Sequence, residues 1–403
     1  LVIVLMTLLR SLLSSLKGSN FRFKGLVHSP WFFALILVLG INPEATALEL
    51  RVAVEEGDSQ LQIGTSSTAV LRGNGGQNLG QITPMQGLKA QFQQGQVKVG
   101  QWKASQMWVE PVDANGFVWV GDRWYRGKVR LIPSSDGLLA VNHVNLEDYL
   151  YSVVGSEMPT HWPLEALKSQ AVAARSYALH KRAKLANANY DLGDTTTWQV
   201  YKGIEAETAS TQAAVGATQG QVLTHGGTII EAVFHSSSGG HTENVEDVWS
   251  QAVPYLRGVA DFDHHAPVFT WQKHFTAEQM RQRITGVGHI LSMTPVETTP
   301  HGRVRQMKVV GDAGQRVLTG NELRNALGLR SSLFVVSPQA AMTGSAAKSL
   351  RPAAFVVSGR GFGHGLGLSQ WGAYGLALRG YSYQQILGHY YQNAALAQIQ
   401  VVP

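Results

Sequence analysis

Residues 153–179, VVGSEMPTHWPLEALKSQAVAARSYAL, constrain the chain more than any other stretch. Pro163 stands where the first residue of a helix would, with its φ already set for that position. Beyond it, apolar residues recur at Leu164, Leu167, Ala171, Ala174 and Ala178. Steps of three and four draw one stripe along a helix. Lys168, Arg175 and Arg182 recur every seven residues and form a second, basic stripe. Met158-Pro159 ends regular structure just ahead of this helix. The segment therefore predicts a turn carrying one acid, Glu157, in an apolar and Gly/Ser setting, followed by a well-marked helix. Pattern alone leaves two readings open: a solvated basic helix edge with an acid in its leading loop, or a carboxylic acid delivered beside a cationic face.

The rest of the chain narrows the function classes. Its 403 residues are ample for one large or two to three modest domains. The 43 glycines favour tight turns and β-rich structure over long helices. The net charge is +6, and Arg10, Lys17, Arg22 and Lys24 against Glu44 place +3 of it in the first 47 residues. The remaining +3 is mild and unclustered, which argues against nucleic acid and suits an anionic cell-wall polymer. Cysteine is absent, so no disulfide, thiolate nucleophile or Cys-based zinc site can form.

Residues 1–47 read as a signal peptide of an exported protein, bound for the periplasm or cell wall. A long basic region precedes the apolar run Trp31 to Ile41, which is too short to span a bilayer comfortably. Ala45-Thr46-Ala47 then offers small residues for cleavage before Leu48. Uncleaved, the segment would be the only membrane contact. From Leu48 the texture alternates, as in Leu50 to Val54, Gln96 to Val99, Phe117 to Val120 and Arg126 to Leu131. We expect a β-rich unit over 48–115, a mixed α/β core over 116–403, and a linker loop over 339–352. The fold class is α+β. Helix signals fall on Ile204 to Ala217, on the capping box Thr276/Gln279, on Gly320 to Gly328 and on Tyr383 to Tyr391.

VNLEDYLYSVVGSEMPTHWPLEALKSQAVAARSYAL, residues 144–179, resembles the core motif of the SpoIID/LytB family. Three later stretches agree with it in order: Asp194 to Gly203 (DTTTWQVYKG), Ala232 to Trp249 (AVFHSSSGGHTENVEDVW) and Gly359 to Gly372 (GRGFGHGLGLSQWG). The match runs from about residue 118 to 391. The resemblance implies a lytic transglycosylase of peptidoglycan glycan strands, with Glu157 as its catalytic acid. It also implies a second reading, because LytB-type relatives are described as enhancers of a cell-wall amidase: a wall-binding module that cleaves nothing.

Protonating a glycosidic oxygen needs a carboxylic acid, and burial lets that acid keep its proton near neutrality. Val153, Val154, Met158 and Trp162 give Glu157 such neighbours. A two-acid glycosidase would need a partner, for which Glu147 and Asp148 are the obvious candidates. Candidate substrate contacts are Arg175 and Tyr177 on the helix, Tyr201, then Ser237, Ser238, His241 and Glu243 at a Gly/Ser-rich strand end, and His364, Ser369 and Gln370 in the last motif. We expect Arg175 to bind substrate in the cleft without pairing with Glu157. The serine run lacks a G-x-S-x-G elbow, and the last motif lacks a dinucleotide loop. Some members of the family carry Cys, His and Cys around the DTT segment, implying zinc. This chain has Gly193, Thr197 and Trp198 there, and neither His235 with His241 nor Asp263 with His264 and His265 has convincing ligand spacing, so no metal or other cofactor is expected.

Overall fold

The computed structural model describes residues 48–399 apart from 186, 188, 250 and 341–350. The expected signal segment 1–47 and most of the 339–352 loop lie outside the described residues. The architecture is α+β.

The period-2 alternation becomes strands with one buried face: Leu50 with Val52, Val97 with Val99, and Val118 with Val120 are fully buried. In a seven-stranded sheet, Glu49–Asp58 pairs with Leu138–Asn145, which pairs with Lys128–Pro133, which pairs with Met107–Pro111. In a six-stranded sheet, Gln60–Thr65 lies between Phe117–Val120 and Leu88–Gln93. Apolar side chains of both sheets fill one buried cluster. Strands from both sides of residue 115/116 thus share hydrogen bonds in both sheets. The boundary expected there falls inside a folding unit, because alternation has the same texture on either side of it.

Two helices follow, α1 (Leu146–Glu157) and α2 (Leu164–Leu185). Asn145 caps α1 by accepting from the Glu147 N–H at 2.8 Å. On α2, the expected stripe is buried at Leu167, Ala171, Ala174 and Ala178, but Leu164 is exposed. The basic stripe differs more, because Arg175 is completely buried. So are Ser169, Gln170, Val172, Ala173 and Ser176, so the middle of α2 has no polar face. The reason is its place. Helix α1, helices Ala209–Gly216, Gln370–Leu378 and Tyr383–Tyr390, and strand Gln221–His225 all pack around it.

Close approach is strict where α1 meets the 3-10 turn Gly203–Ala206. A Cβ on Gly155 would lie 1.9 Å from the Ala206 carbonyl oxygen. Gly155→Ala is therefore expected to cost about 1–3 kcal/mol by forcing the two backbones apart. An unfolding midpoint in urea equal to wild type would contradict this packing.

Residues 270–339 together with 354–360 build a second core, which the sequence reading merged with the first. Thr270–Thr276, Ala354–Arg360 and Phe334–Gln339 form one sheet, and Ile290–Thr298, Val304–Gly311 and Gly314–Thr319 another. Trp271, Met280, Met307, Leu323 and Phe355 fill their own cluster. Helices Ala277–Arg283 and Gly320–Leu327 both begin in capping boxes, Thr276 with Gln279 and Thr319 with Glu322. The hairpin after Gln221–His225 turns on Gly226 and Gly227, both at positive φ. Helix Tyr383–Tyr390 is not the last element, since Ala395–Gln398 adds a strand beside Gln221–His225. Among the described residues no helix is long and apolar enough to cross a membrane.

Candidate active site

Glu157 is the last residue of α1, one step earlier in the fold than the loop expected for it. The helix stops because Met158 is extended, with φ −128 and ψ 147, as the residue before a proline prefers. Trp162 fixes the connection to α2 by packing on Trp371 and Tyr374, with ring centroids 4.6 and 4.9 Å apart. Both belong to helix Gln370–Leu378, which Ser369 caps by accepting from the Gly372 N–H at 3.2 Å. Its first residue, Gln370, hydrogen-bonds the Glu157 carboxyl. The second donor is the Val200 N–H, 2.9 Å from Oε1. The segment carrying Val200 is pinned along the helices. Lys202 N–H donates to Ser152 Oγ at 3.2 Å, and buried Gln199 bridges the Tyr149 hydroxyl and the Ala174 carbonyl.

Burial is the largest influence on Glu157 and pushes its pKa above the ordinary 4.5. The Val200 N–H and the Gln370 side chain only partly offset it. The partial negative charge at the C-terminus of α1 acts in the same direction as burial. Glu157 thus holds its proton to a higher pH than an exposed glutamate.

The carboxyl opens onto a cleft of about 540 Å³. Tyr177 and Lys181 of α2 line it, with Thr197, Trp198, His235 and His364. Trp249 and Phe362, 42% and 43% exposed, add bare aromatic surface. Lys181 lies 5.2 Å above the Tyr177 ring and 2.5 Å from Glu231 Oε1. The Tyr177 hydroxyl is pushed up to about 12, by burial first and then by Glu231 and Glu157. His364 uses both nitrogens: Nε2–H donates to the Phe234 carbonyl at 3.0 Å, and Nδ1 accepts from the Leu366 N–H at 3.1 Å. Burial pushes it down to about 4. His235 donates from Nδ1 to the Leu366 carbonyl at 3.0 Å, which leaves Nε2 as a buried lone pair with no protein partner. Burial holds its pKa well below 6.5 too, so both imidazoles are neutral at pH 7.

The structure thus brings Tyr177, His364 and Gln370 together with Glu157. The other expected contacts do not line this cleft. Arg175 is sealed in the core, with Nε 2.9 Å from Glu147 Oε1 and a further bond to the Gln221 carbonyl at 3.0 Å. Tyr201 is buried against Tyr125 and Tyr149, its hydroxyl on Asn142 at 2.8 Å. Ser237 and Ser238 donate to Asp263 and Asp261, each at 2.5 Å, and brace the loop beneath. His241 stacks on His301 at 3.5 Å, and Glu243 is buried, accepting from the Thr299 hydroxyl at 2.7 Å. Ser369 acts as a helix cap. Glu147 and Asp148 sit at the opposite end of α1 from Glu157, about 15 Å along the axis at 1.5 Å per residue. That is beyond the roughly 5–9.5 Å of a two-acid glycosidase. Sequence reasoning missed Lys181, Glu231 and His235. The usable signal was the i, i+4 pair Tyr177 and Lys181, which faces the cleft where the seven-residue basic stripe does not.

The residues at the metal-ligand positions of other family members do not fit a metal. Gly193 offers no donor, and a Cβ there would meet the Trp198 indole at 2.8 Å. The indole fills the space and ligates nothing. Among the described residues no three His, Asp or Glu side chains converge to hold an ion. Zinc chelation is therefore expected to leave activity unchanged, checked by assay with and without chelator.

Known proteins resemble the chain over these elements. The profile of the family described as Stage II sporulation protein matches residues 134–225, which span α1, α2 and the 194–203 segment. A domain of unknown function (DUF8618) matches 243–367, which contains the second core. An uncharacterized protein of Brachyspira hyodysenteriae is 34% identical over 284 residues, covering 69% of this chain and 73% of that protein. Stage II sporulation protein D of Bacillus subtilis is 33% identical, covering 64% of this chain and 76% of its own. An amidase enhancer of Bacillus subtilis is 30% identical, covering 61% of this chain and 40% of its own. By its sequence motifs, its matched family profile and these relatives, the chain belongs to the SpoIID/LytB family.

Proposed function

We propose that the protein is an exported lytic transglycosylase that cleaves the β-1,4 bond between N-acetylmuramic acid and N-acetylglucosamine in peptidoglycan. The observation that carries this reading is Glu157, a carboxyl with raised pKa and two hydrogen-bond donors, on a cleft with bare aromatic surface. Glu157 gives its proton to the glycosidic oxygen as the bond to C1 breaks. The C6 hydroxyl of the same muramic acid then bonds to C1, and its proton returns to Glu157. The product is a 1,6-anhydro ring, and no water is consumed. One carboxyl suffices for this route, where ordinary glycosidases need two. The other carboxylate in the cleft, Glu231, is held by Lys181. Tyr177 and Gln370 supply polar groups for sugar hydroxyls and acetamido N–H.

The expected products of digested peptidoglycan are anhydro-muramyl ends, read by mass spectrometry. Reducing ends would indicate a hydrolase that recruits Glu231. A second reading is supported by the amidase-enhancer relative: a wall-binding protein that assists a cell-wall amidase. Under it, the purified protein binds glycan and releases no fragments.

A further inference from the structure

The catalytic cleft does not end at Trp249. Trp249, Gly363 and His364 form a seam, and beyond it lies a second groove of about 540 Å³. Its far wall comes from the second core, including Arg305, Asn321, Arg324 and Ser332. The charges facing it do not cancel evenly. Arg305 is paired with Glu297 at 2.6 Å. Asp247 is held by the Asn244 amide at 3.0 Å. Arg303 is fully buried, 3.7 Å from Glu243, and its Nε and Nη1 have no hydrogen-bond partner. Arg324 is half-buried and has no side-chain hydrogen bond or ion pair among the described residues. A partly desolvated guanidinium without an anion is costly, and its planar fork suits a carboxylate in two-point contact. The field of Arg303 and Arg324 also reaches the seam, where it adds to burial in keeping His364 neutral.

We propose that this groove is an anion subsite in which Arg324, from the second core, binds a carboxylate carried by the glycan strand whose next sugar occupies the Glu157 cleft. The inference rests on the glycan reading above and adds the substrate feature it requires. Two parts of peptidoglycan carry that chemistry: the lactyl carboxylate of muramic acid freed of its peptide, and the carboxylates of an attached stem peptide. A polymer of N-acetylglucosamine alone carries neither.

The test measures binding by calorimetry in the full chain carrying Glu157→Gln, so that strands are not consumed, with and without Arg324→Gln. Three probes are used: peptide-free glycan strands, strands with intact stem peptides, and a neutral N-acetylglucosamine hexamer. The expected result is about a tenfold loss of affinity for a carboxylate-bearing strand on removing the guanidinium, and no change for the neutral hexamer. A loss confined to peptide-free strands assigns the lactyl carboxylate, and a loss confined to peptide-bearing strands assigns the stem. Arg324→Lys is expected to restore part of the loss, since the charge remains and the fork does not. Equal affinity with and without Arg324, or an equal loss for the neutral hexamer, overturns the subsite. Failure of the Arg324-containing protein to bind any of the three probes overturns the glycan reading itself, which separates the two failures.

Discussion

Glu157→Gln is expected to lower release of anhydro-muramyl fragments by about 10²–10⁴-fold, the usual worth of a positioned general acid. The substitution keeps the volume and the Oε1 that accepts from Val200, and it removes the proton that the leaving oxygen needs. The pH profile carries the same assignment. Glu157 must be protonated in the resting enzyme, and its pKa lies above 4.5. Rate should therefore fall as pH rises through that raised pKa, on a limb displaced upward from the ordinary carboxylate range. Stability has a linked sign. A raised folded pKa means the folded state holds the proton more tightly than the unfolded chain. That preference favours folding below pH 4.5 and is lost as pH rises through the folded pKa. Above that folded pKa the ionised, largely buried carboxylate is a cost that Gln does not incur, so there Glu157→Gln should melt no lower than wild type. Cleavage within a few-fold of wild type, with a native melt, would remove Glu157 from the mechanism, whereas glycan binding without cleavage by the wild-type protein would favour the amidase-assisting reading.

What was legible in the sequence follows from range. Period and caps are local, so strands such as Gln96–Val99 and the helices begun by Thr276 and Thr319 were readable residue by residue. The acid was readable because Glu157 stands alone among apolar neighbours in a motif with recognisable order. Contacts across the chain were not. Nothing near residue 175 announces Glu147 as the partner of Arg175, and nothing near Thr270–Thr276 announces Ala354–Arg360, which joins the second core from about 80 residues further along the sequence. The amphipathic rule itself misled at α2. It assumes a helix with water on one side, whereas α2 is wrapped on every side in its middle turns. Polar motif residues such as Ser237, Ser238 and Ser369 were read as substrate contacts, whereas the two serines bond Asp263 and Asp261 and Ser369 caps a helix.

Arg175→Met is expected to destabilise the fold by about 3–5 kcal/mol, the cost of breaking a buried pair from one side. The guanidinium is fully buried and two-pronged on Glu147, at 2.9 Å from Nε and 2.5 Å from Nη2, and its Nη1 holds the Gln221 carbonyl. Glu147 in turn accepts from the Gly220 N–H at 3.2 Å. One ion pair thus ties the middle of α2 to the first turn of α1 and to the strand that begins at Gln221. Removing the arginine strands a carboxylate and a carbonyl, and methionine replaces neither bond. Arg175→Lys should lose less, because a point charge keeps one oxygen of Glu147 but not the fork or the reach to Gln221. The double change Arg175→Met with Glu147→Leu should recover much of the loss, since no unpaired charge then remains in the core. Urea unfolding midpoints of the four proteins check this order. Cleavage per folded molecule at low temperature should stay near wild type in all of them, because Arg175 does not line the Glu157 cleft. A native unfolding midpoint for Arg175→Met, combined with a large rise in KM, would return Arg175 to the substrate.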